Sequence, residues 1–371
     1  MRCYSISLFV LAAVSTVSAK GYLYGLNSTV IKTTVALELV EYDAETAKEV
    51  RRGSYEKYDL AGQGLACIDE KIGVYYTLAT NATTGNVSLI GISLQTLSLD
   101  LEINVPILNE GFVGVGQYCN VDSETGVVII EGRDIEPPNR HHLWKVNPKT
   151  KKASNLARLP EEGKIDILGG FSVLDTTNLI DWLQLAFNDS GVIAARFYGF
   201  DAKTGFVLNI LDNPLNLGAA SYDPKTDLIW GVGARIDEEK QTITHVLVAF
   251  NSVEGTFVSK SVVPFTLFLG AISTVDIVGR KLFVLMSNMT KSPPSIQQYC
   301  SQASSISRRI PIFCKEYQTQ DIGVNKTAPT PPPPPMDLVT IDIDSGNVIG
   351  HPQLCKEFPF CPRSIEFWNR D

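Results

Sequence analysis

The chain has 371 residues, of which 44% are hydrophobic and 19% are charged, and its formal net charge is −8. This acidic balance favours neither nucleic acid nor anionic lipid as a partner. No stretch after the N-terminal one approaches the roughly 18 uninterrupted apolar residues that a membrane-spanning helix needs. We therefore expect a globular monomer with no membrane span and no nucleic-acid partner.

The first 19 residues have the pattern of a secretory signal peptide. Arg2 precedes an apolar run from Ile6 to Val14, and small residues lie before a cleavage site at Lys20. An uncleaved anchor is the alternative, although the run is short for a membrane span. Loss of Arg2 with the signal leaves 31 basic residues against 40 acidic ones, a charge of −9. The sequence predicts a secreted product, located outside the cell or in the lumen of the secretory pathway.

A repeated turn between two apolar strands organises the rest of the chain. The fullest copy is FYGFDAKTGFVL, residues 197 to 208, in which an Asp is followed by x-x-Thr-Gly. The anchors of the successive copies are Asp43, Ser93, Asn147, Asp201, Asn251 and Asp342. Their spacings are 50, 54, 54, 50 and 91 residues. All but the last are close to the roughly 40 to 50 residues of a propeller blade.

A second series of Asp anchors alternates with the first series. Each ends a short strand that begins near a glycine: Asp69, Asp122, Asp175, Asp223 and Asp276. Two interleaved turns in each period predict four strands per unit, which is one blade. Short polar side chains at such turns accept backbone N–H bonds two residues on, so we assign these acids a structural role.

The C-terminal segment SIEFWNRD has the pattern of one more first strand, reaching an inner turn at Asp371. If Asp371 is joined to Lys20, the offset to Asp43 matches the other units. The sequence therefore predicts an all-β, six-bladed propeller of four-stranded blades, closed by a blade that both termini share. Such closure removes free sheet edges. Residues 20–371 are predicted to form a single domain.

The long last spacing indicates an insertion at about residues 288–336, between the second and third strands of one blade. Pro331 to Pro335 favour an extended polyproline helix that cannot continue a sheet. We expect a protruding loop.

Cys3 lies in the signal peptide, so the mature chain has an even number of cysteines and, in an oxidising compartment, three predicted bridges. Cys300 and Cys314 are expected to tie the insertion, and Cys355 and Cys361 to close a short loop. Cys67 and Cys119 are one blade period apart, at matching places on consecutive first strands. They form either a bridge or two buried thiols, because the inner strands could lie too far apart for disulfide geometry.

Six Asn-x-Ser/Thr sequons are consistent with a glycoprotein in which some of the sites are occupied. They are Asn27, Asn81, Asn86, Asn188, Asn288 and Asn325.

On these turns and strands, the chain resembles six-bladed β-propellers of the gluconolactonase-like, strictosidine-synthase-like and NHL-like types, with no specific family indicated. Hydrolases of this architecture hold a divalent cation, often calcium, at the channel mouth with Glu, Asn and Asp. The resemblance therefore implies, as an alternative function, a metal-dependent lactonase or esterase. The candidate ligands, near the starts of inner strands, are Glu110, Asp166, Asn216 and Glu366. Their offsets from the following anchors differ, and polar linkers would produce such a set by chance.

The leading interpretation is a binding module without a cofactor, because no nucleophile elbow, phosphate-binding loop or paired zinc motif is present. The predicted site is the end of the propeller that bears the unequal links between second and third strands and between blades, here called the loop end. The opposite end carries the short turns and is called the turn end. Candidate partner-binding residues at the loop end are Arg133, Arg140, His141 and His142. Two adjacent His at a strand start point to opposite sides, which argues against joint metal binding.

Overall fold

The computed structural model describes residues 21–31, 34–61, 65–104, 112–113, 119–134, 141–158, 172–189, 192–212, 215, 217, 219–237, 239–240, 242–264, 266–267, 272–287, 335–355, 362 and 364–369. Within these residues the structure is all-β and contains no helix. No helix in the described ranges is therefore long and apolar enough to cross a membrane.

Alternating apolar strands and polar turns fold into six antiparallel sheets, which are the six blades of a propeller. Blade 1 contains β1 (Gly21–Ile31), β2 (Thr34–Asp43) and β3 (Glu49–Tyr55). Blade 2 contains β4 (Tyr58–Leu60), β5 (Ala66–Asp69), β6 (Val74–Asn81), β7 (Val87–Ser93) and β8 (Leu99–Asn104). Blade 3 contains β9 (Phe112–Val113), β10 (Cys119–Asp122), β11 (Val127–Asp134), β12 (His141–Asn147) and β13 (Lys152–Arg158).

The second half of the chain repeats this order. Blade 4 contains β14 (Ser172–Asp175), β15 (Ile180–Asp189), β16 (Val192–Asp201) and β17 (Val207–Asp212). Blade 5 contains β18 (Ala219–Asp223), β19 (Leu228–Asp237), β20 (Thr242–Asn251) and β21 (Thr256–Val263). Blade 6 contains β22 (Thr266–Leu267), β23 (Ser273–Asp276), β24 (Lys281–Ser287), β25 (Met336–Asp342), β26 (Val348–Gly350) and β27 (Gln353–Cys355). The last strand, β28 (Ile365–Asn369), belongs to blade 1.

The terminal strands close the ring as the sequence predicts. β28 pairs antiparallel with β1, from Gly21 opposite Asn369 to Gly25 opposite Ile365. The Trp368 indole N–H donates to the Glu70 carbonyl of blade 2 at 3.3 Å. Phe367 stacks on Phe283 of blade 6, with ring centroids 5.4 Å apart. β28 therefore joins blade 1 to both of its neighbours, and the predicted fold and shared blade are confirmed.

Six inner strands, one from each blade, surround a central channel. They are β28, β5, β10, β14, β18 and β23, and each contacts the next around the ring. Apolar side chains fill the spaces between blades. Trp182 of blade 4 and Phe250 of blade 5 are fully buried and pack edge to face at 4.9 Å. Truncating a side chain of this kind to Ala typically costs about 3–5 kcal/mol.

Both series of Asp anchors form the predicted turns. In the outer series, Asp201 Oδ1 accepts from the Lys203 and Thr204 N–H groups at 2.9 and 2.7 Å. In the inner series, Asp175 Oδ1 accepts from the Thr177 N–H at 3.0 Å. Gly205 has φ +76°, a left-handed conformation that glycine adopts without steric cost. These bonds and the positive φ explain why the repeat is visible in the sequence.

Several predictions fall on residues outside the described ranges. They are the signal peptide, the body of the 288–336 insertion and the exact limits of the domain. β24 and β25 pair with Ser287 opposite Met336, and the residues between them link these two strands.

Removal of Pro362–Asp371 should prevent secretion. The truncation deletes β28, exposes the paired edge of β1 and leaves Phe283 without its aromatic partner. The measurement is the yield and thermal stability of the truncated chain from a eukaryotic secretion host. Normal yield and stability would contradict closure by this strand.

Candidate functional site

The described part of the central channel encloses a cavity of 690 Å³. Small and hydroxyl-bearing side chains of the inner strands form much of its wall, and inner turns complete it at the turn end. Wall residues include Cys67, Cys119, Asn120, Ser172, Ser221, Ser273, Thr274, Ser364 and Glu366, and the turns add Glu70, Glu124, Thr177 and Pro224. No Lys, Arg or His belongs to the described lining. The cavity is large enough for a small ligand.

A disulfide crosses two blades in this wall. Cys67 of β5 is bonded to Cys119 of β10, with their Cα atoms 5.4 Å apart. The bridge settles the alternatives left open by the sequence. The two positions are not equivalent, however, because Cys67 lies two residues before Asp69 and Cys119 lies three before Asp122. The expectation of matching places was wrong by one residue, because Cys67 faces blade 3 and Cys119 faces blade 2, and successive residues of a strand point to opposite faces.

A buried polar network joins blades 3 and 4 beside the disulfide. The Asn120 amide on β10 donates to Ser172 Oγ at 2.9 Å and to Asp181 Oδ1 at 2.7 Å. Asp181 lies on β15 and is 1% exposed. Its Oδ2 has no hydrogen-bond partner among the described residues. Desolvation by burial raises the pKa of Asp181 to about 7, although the Asn120 bond lowers it. This carboxyl is therefore largely protonated below neutral pH.

Two glutamates meet where the channel reaches the turn end. Glu366 lies on β28 and Glu70 lies in the inner turn of blade 2, and both line the cavity. Desolvation raises the pKa of Glu366 well above its usual range, and repulsion from Glu70 raises it further. Desolvation and the charges of Asp276 and Asp69 also raise the pKa of Glu70. This side of the channel would favour a positively charged group.

The predicted metal ligands are tested only in part. Glu366 lies in the channel wall, as a ligand at the channel would require. Glu110, Asp166 and Asn216 lie outside the described residues. Within the described ranges, no three or more His, Cys, Asp or Glu side chains are grouped to hold a metal ion. Glu366 would be a ligand for a cation in its ionised form, which its surroundings disfavour in the absence of a cation, and the described residues supply too few ligands to complete the coordination.

The loop end is irregular because the blades differ in height there. Within the described residues, β14 pairs with β15 as far as Ser172 opposite Leu183, whereas β15 and β16 remain paired up to Asp189 opposite Val192. Six residues of β15, about 20 Å of strand, thus extend beyond the inner strand. β1–β2 and β19–β20 extend in the same way. We call these three pairs the tall hairpins.

Blades 2, 3 and 6 differ from the other three at the loop end. In them a short extra strand, β4, β9 or β22, pairs with the second strand beyond the inner one. In blade 3 the predicted partner-binding residues lie on this part of the sheet. Arg133 of β11 is opposite both His141 of β12 and Val113 of β9. His142 is the second residue of β12, and its Nδ1 lies 3.0 Å from the Asn155 amide nitrogen. Arg140 lies outside the described residues.

The turn end has a feature that sequence reasoning missed. The outer turns are uniform, so by themselves they would not shape a specific pocket. The inner turns, however, carry different residues in each blade, including Glu70, Glu124, Thr177 and Pro224, and these residues line the cavity. The signal was present in the sequence as the variable residues after each inner Asp anchor.

The sequons share one location relative to the blades. Asn27 lies on β1, Asn81 ends β6, and Asn188 lies on β15, all of them second strands. Asn86 is exposed in the link from β6 to β7. Asn288 and Asn325 belong to the link between β24 and β25. All six therefore belong to second strands or to the links that follow them, in blades 1, 2, 4 and 6. Blades 3 and 5 carry none.

Of the other predicted bridges, the structure describes one cysteine. Cys355 is disulfide-bonded, and its partner lies outside the described residues. Cys300, Cys314 and Cys361 also lie outside them, so both pairings remain predictions.

Comparisons with known proteins support the fold. TolB from Acinetobacter baumannii is similar with a TM-score of 0.50 at 7% identity, over 94% of this chain and 66% of that chain. The chain thus spans slightly less than two thirds of TolB. A 6-phosphogluconolactonase-like protein from Bacteroides uniformis gives a TM-score of 0.48 at 10% identity, over 94% and 99% of the two chains. No family model matches the sequence, and no curated protein matches it. The chain is a six-bladed β-propeller, and identities this low indicate only a shared fold.

Asp181→Asn should flatten the pH dependence of stability. The folded pKa of Asp181 is about 7, above its ordinary value of 3.8, so the neutral form is favoured by folding. Its contribution is fully present below pH 4 and is lost as the pH rises to 7, at about 1.4 kcal/mol per pH unit. Denaturant unfolding at pH 5 and pH 8 measures this. The wild type should lose more stability than the variant between the two values. Equal losses of stability in the wild type and the variant would contradict the assignment of this pH dependence to Asp181.

Proposed function

We propose that the protein is a secreted, glycosylated propeller that binds a glycan or protein partner through its loop end. The observation that carries the proposal is the contrast between the two ends. The outer turns repeat one geometry, whereas at the loop end three blades carry tall hairpins and the other three carry short extra strands. Unequal segments on a rigid scaffold are where specific binding surfaces are usually built.

Blade 3 is the favoured part of that end. The sequence from Arg133 to His142 contains four nitrogen-bearing residues, Arg133, Arg140, His141 and His142, beside two acids, Asp134 and Glu136, in a chain whose net charge is −8. Blade 3 carries no sequon, unlike blades 1, 2, 4 and 6, so attached glycans would flank this surface rather than cover it. Arg pairs well with carboxylate and sulfate oxygens. An acidic polysaccharide is therefore the partner class that this surface fits best.

Charge reversal of Arg133 and Arg140 together should abolish retention on an acidic polysaccharide. The probe is immobilised heparin, and the reading is the salt concentration that elutes the purified protein. The matched control is Lys149→Glu with Lys152→Glu, which makes the same charge change in the outer turn of the same blade. The control should elute like the wild type.

All variants are compared at equal thermal stability, so that unfolding is not mistaken for lost binding. If both double variants lose retention equally, net charge and not the loop end of blade 3 determines binding. If the wild type is not retained, the partner is not an acidic glycan of this kind.

A metal-dependent hydrolase is the second candidate, and Glu366 is the observation that favours it. This carboxyl lies in the channel wall, and Glu70 nearby raises its pKa, so a bound cation would relieve their repulsion. A divalent cation would polarise an ester or lactone carbonyl and lower the pKa of its bound water. This chain's part would be to hold the cation with Glu366 and to orient substrate with the channel hydroxyls.

Calcium titration by calorimetry tests this candidate. The wild type should bind calcium and Glu366→Gln should bind it at least about tenfold more weakly, because one charged ligand is lost. Hydrolysis of a lactone panel should disappear on chelation. Calcium binding that is unchanged in Glu366→Gln would remove Glu366 from the site. A wild type that neither binds calcium nor hydrolyses any lactone would exclude the hydrolase.

A further inference from the structure

The outermost strand of blade 4 exposes an apolar row. Among the strands that the structure describes, β17 pairs only with β16, and none of them pairs with its other edge. Along it, Val207 is 39% exposed, Leu208 49% and Ile210 49%, and Phe206 just before it is 74% exposed. Large apolar side chains in a row on a free edge are unusual in a stable monomer.

The other outer strands are protected in a way that β17 is not. Free edges are commonly guarded by charged side chains. β3 carries Arg51 and Arg52, β8 carries Asp100 and Glu102, β13 carries Lys152 and Arg158, and β21 carries Lys260. β26 has no charge but is only three residues long. β17 has its single charge, Asp212, at its end, so its apolar interior is unguarded.

The charges that flank the row are of opposite sign. Lys203 lies in the outer turn before the strand, and Asp212 lies at the other end with its side chain 88% exposed. The ion pair from Asp212 to Arg196 is long, at 3.4 Å, and exposed, so it leaves the carboxylate open to a further partner. If two copies of the row lie antiparallel, the Lys203 end of each meets the Asp212 end of the other.

We propose that this surface, residues Phe206 to Asp212, joins two copies of the chain in a twofold-symmetric dimer. An isologous contact needs one self-complementary patch, and the antiparallel row provides it. Leu208 and Ile210 of one copy lie against Ile210 and Leu208 of the other, with Asn209 near the axis. β17 has a bulge at Leu208, between the pairs Gly199–Asn209 and Phe200–Val207, and it keeps a regular register with β16 from Asn209 to Asp212, so the contact is made by side chains and not by a continuous backbone ladder. No sequon lies on this strand or on any other outer strand, so glycans would not block the contact.

The dimer replaces the monomer expected from the sequence and is independent of the proposed partner and of the channel. The test uses the full secreted chain and measures its mass by light scattering coupled to gel filtration, over a wide concentration range. The wild type should have twice the mass of one glycosylated chain. Leu208→Lys with Ile210→Lys should halve that mass.

A matched control places the same two charges on other outer strands. Val50 on β3 and Ile349 on β26 are 49% and 54% exposed, close to Leu208 and Ile210. Val50→Lys with Ile349→Lys should leave the mass at two chains. The thermal stability of both double variants verifies that each is folded.

The orientation has its own test. Lys203→Glu should weaken the dimer by placing like charges together, and Lys203→Glu with Asp212→Lys should restore it.

A wild type that is a single chain at every concentration overturns the proposal. So does a dimer that survives the two lysines on β17. Failure of the charge exchange to restore association overturns the antiparallel arrangement.

Discussion

The pairing of β28 with β1 is the constraint on which the rest of the structure depends. Each inner strand contacts its two neighbours in the ring, and β28 fills the place between β23 and β5. Without it, blade 1 would begin at β1 and two blades would face a gap. The contacts of Trp368 and Phe367 lie on opposite sides of this strand. Residues at the far ends of the chain therefore decide whether the ring closes, and the channel exists only when it does.

Closure also explains the unusual polar groups of the channel. Inner strands that approach one another leave room for small side chains, which is why Ser, Thr, Asn and Cys form much of the wall. The same crowding buries Asp181 and holds it to Asn120 of the neighbouring blade. A carboxyl in that position costs stability when it is charged. This loss of stability arises at the contact between blades 3 and 4. The disulfide that links blades 2 and 3 lies beside that contact.

The turn end and the loop end of the propeller are formed by different parts of the repeated sequence. Asp-anchored turns hold the turn end to one geometry, because each anchor accepts the same backbone bonds. The loop end has no such constraint, so strands there differ in length from blade to blade. The sequons belong to the strands and links on the side of that irregular end, whereas the apolar row of β17 lies on the outer rim. Partner binding and self-association would then use separate surfaces, because hairpin links and outer strands face different directions.

The sequence by itself determined the blade count, the four-stranded blades and the shared terminal blade, because short-range turn chemistry repeats at a nearly constant spacing. The roles of Asp201, Gly205 and their equivalents are local. Asp201 accepts backbone bonds from residues a few positions away, and Gly205 adopts a positive φ. Only the tertiary structure decided which distant residues meet. The Cys67–Cys119 bridge, the contact of Asn120 with Asp181 and the influence of Glu70 on Glu366 depend on which side chains of neighbouring blades face each other. The exposure of Leu208 and Ile210 could not be predicted from the sequence either. An apolar strand has the same sequence pattern whether or not another strand covers it.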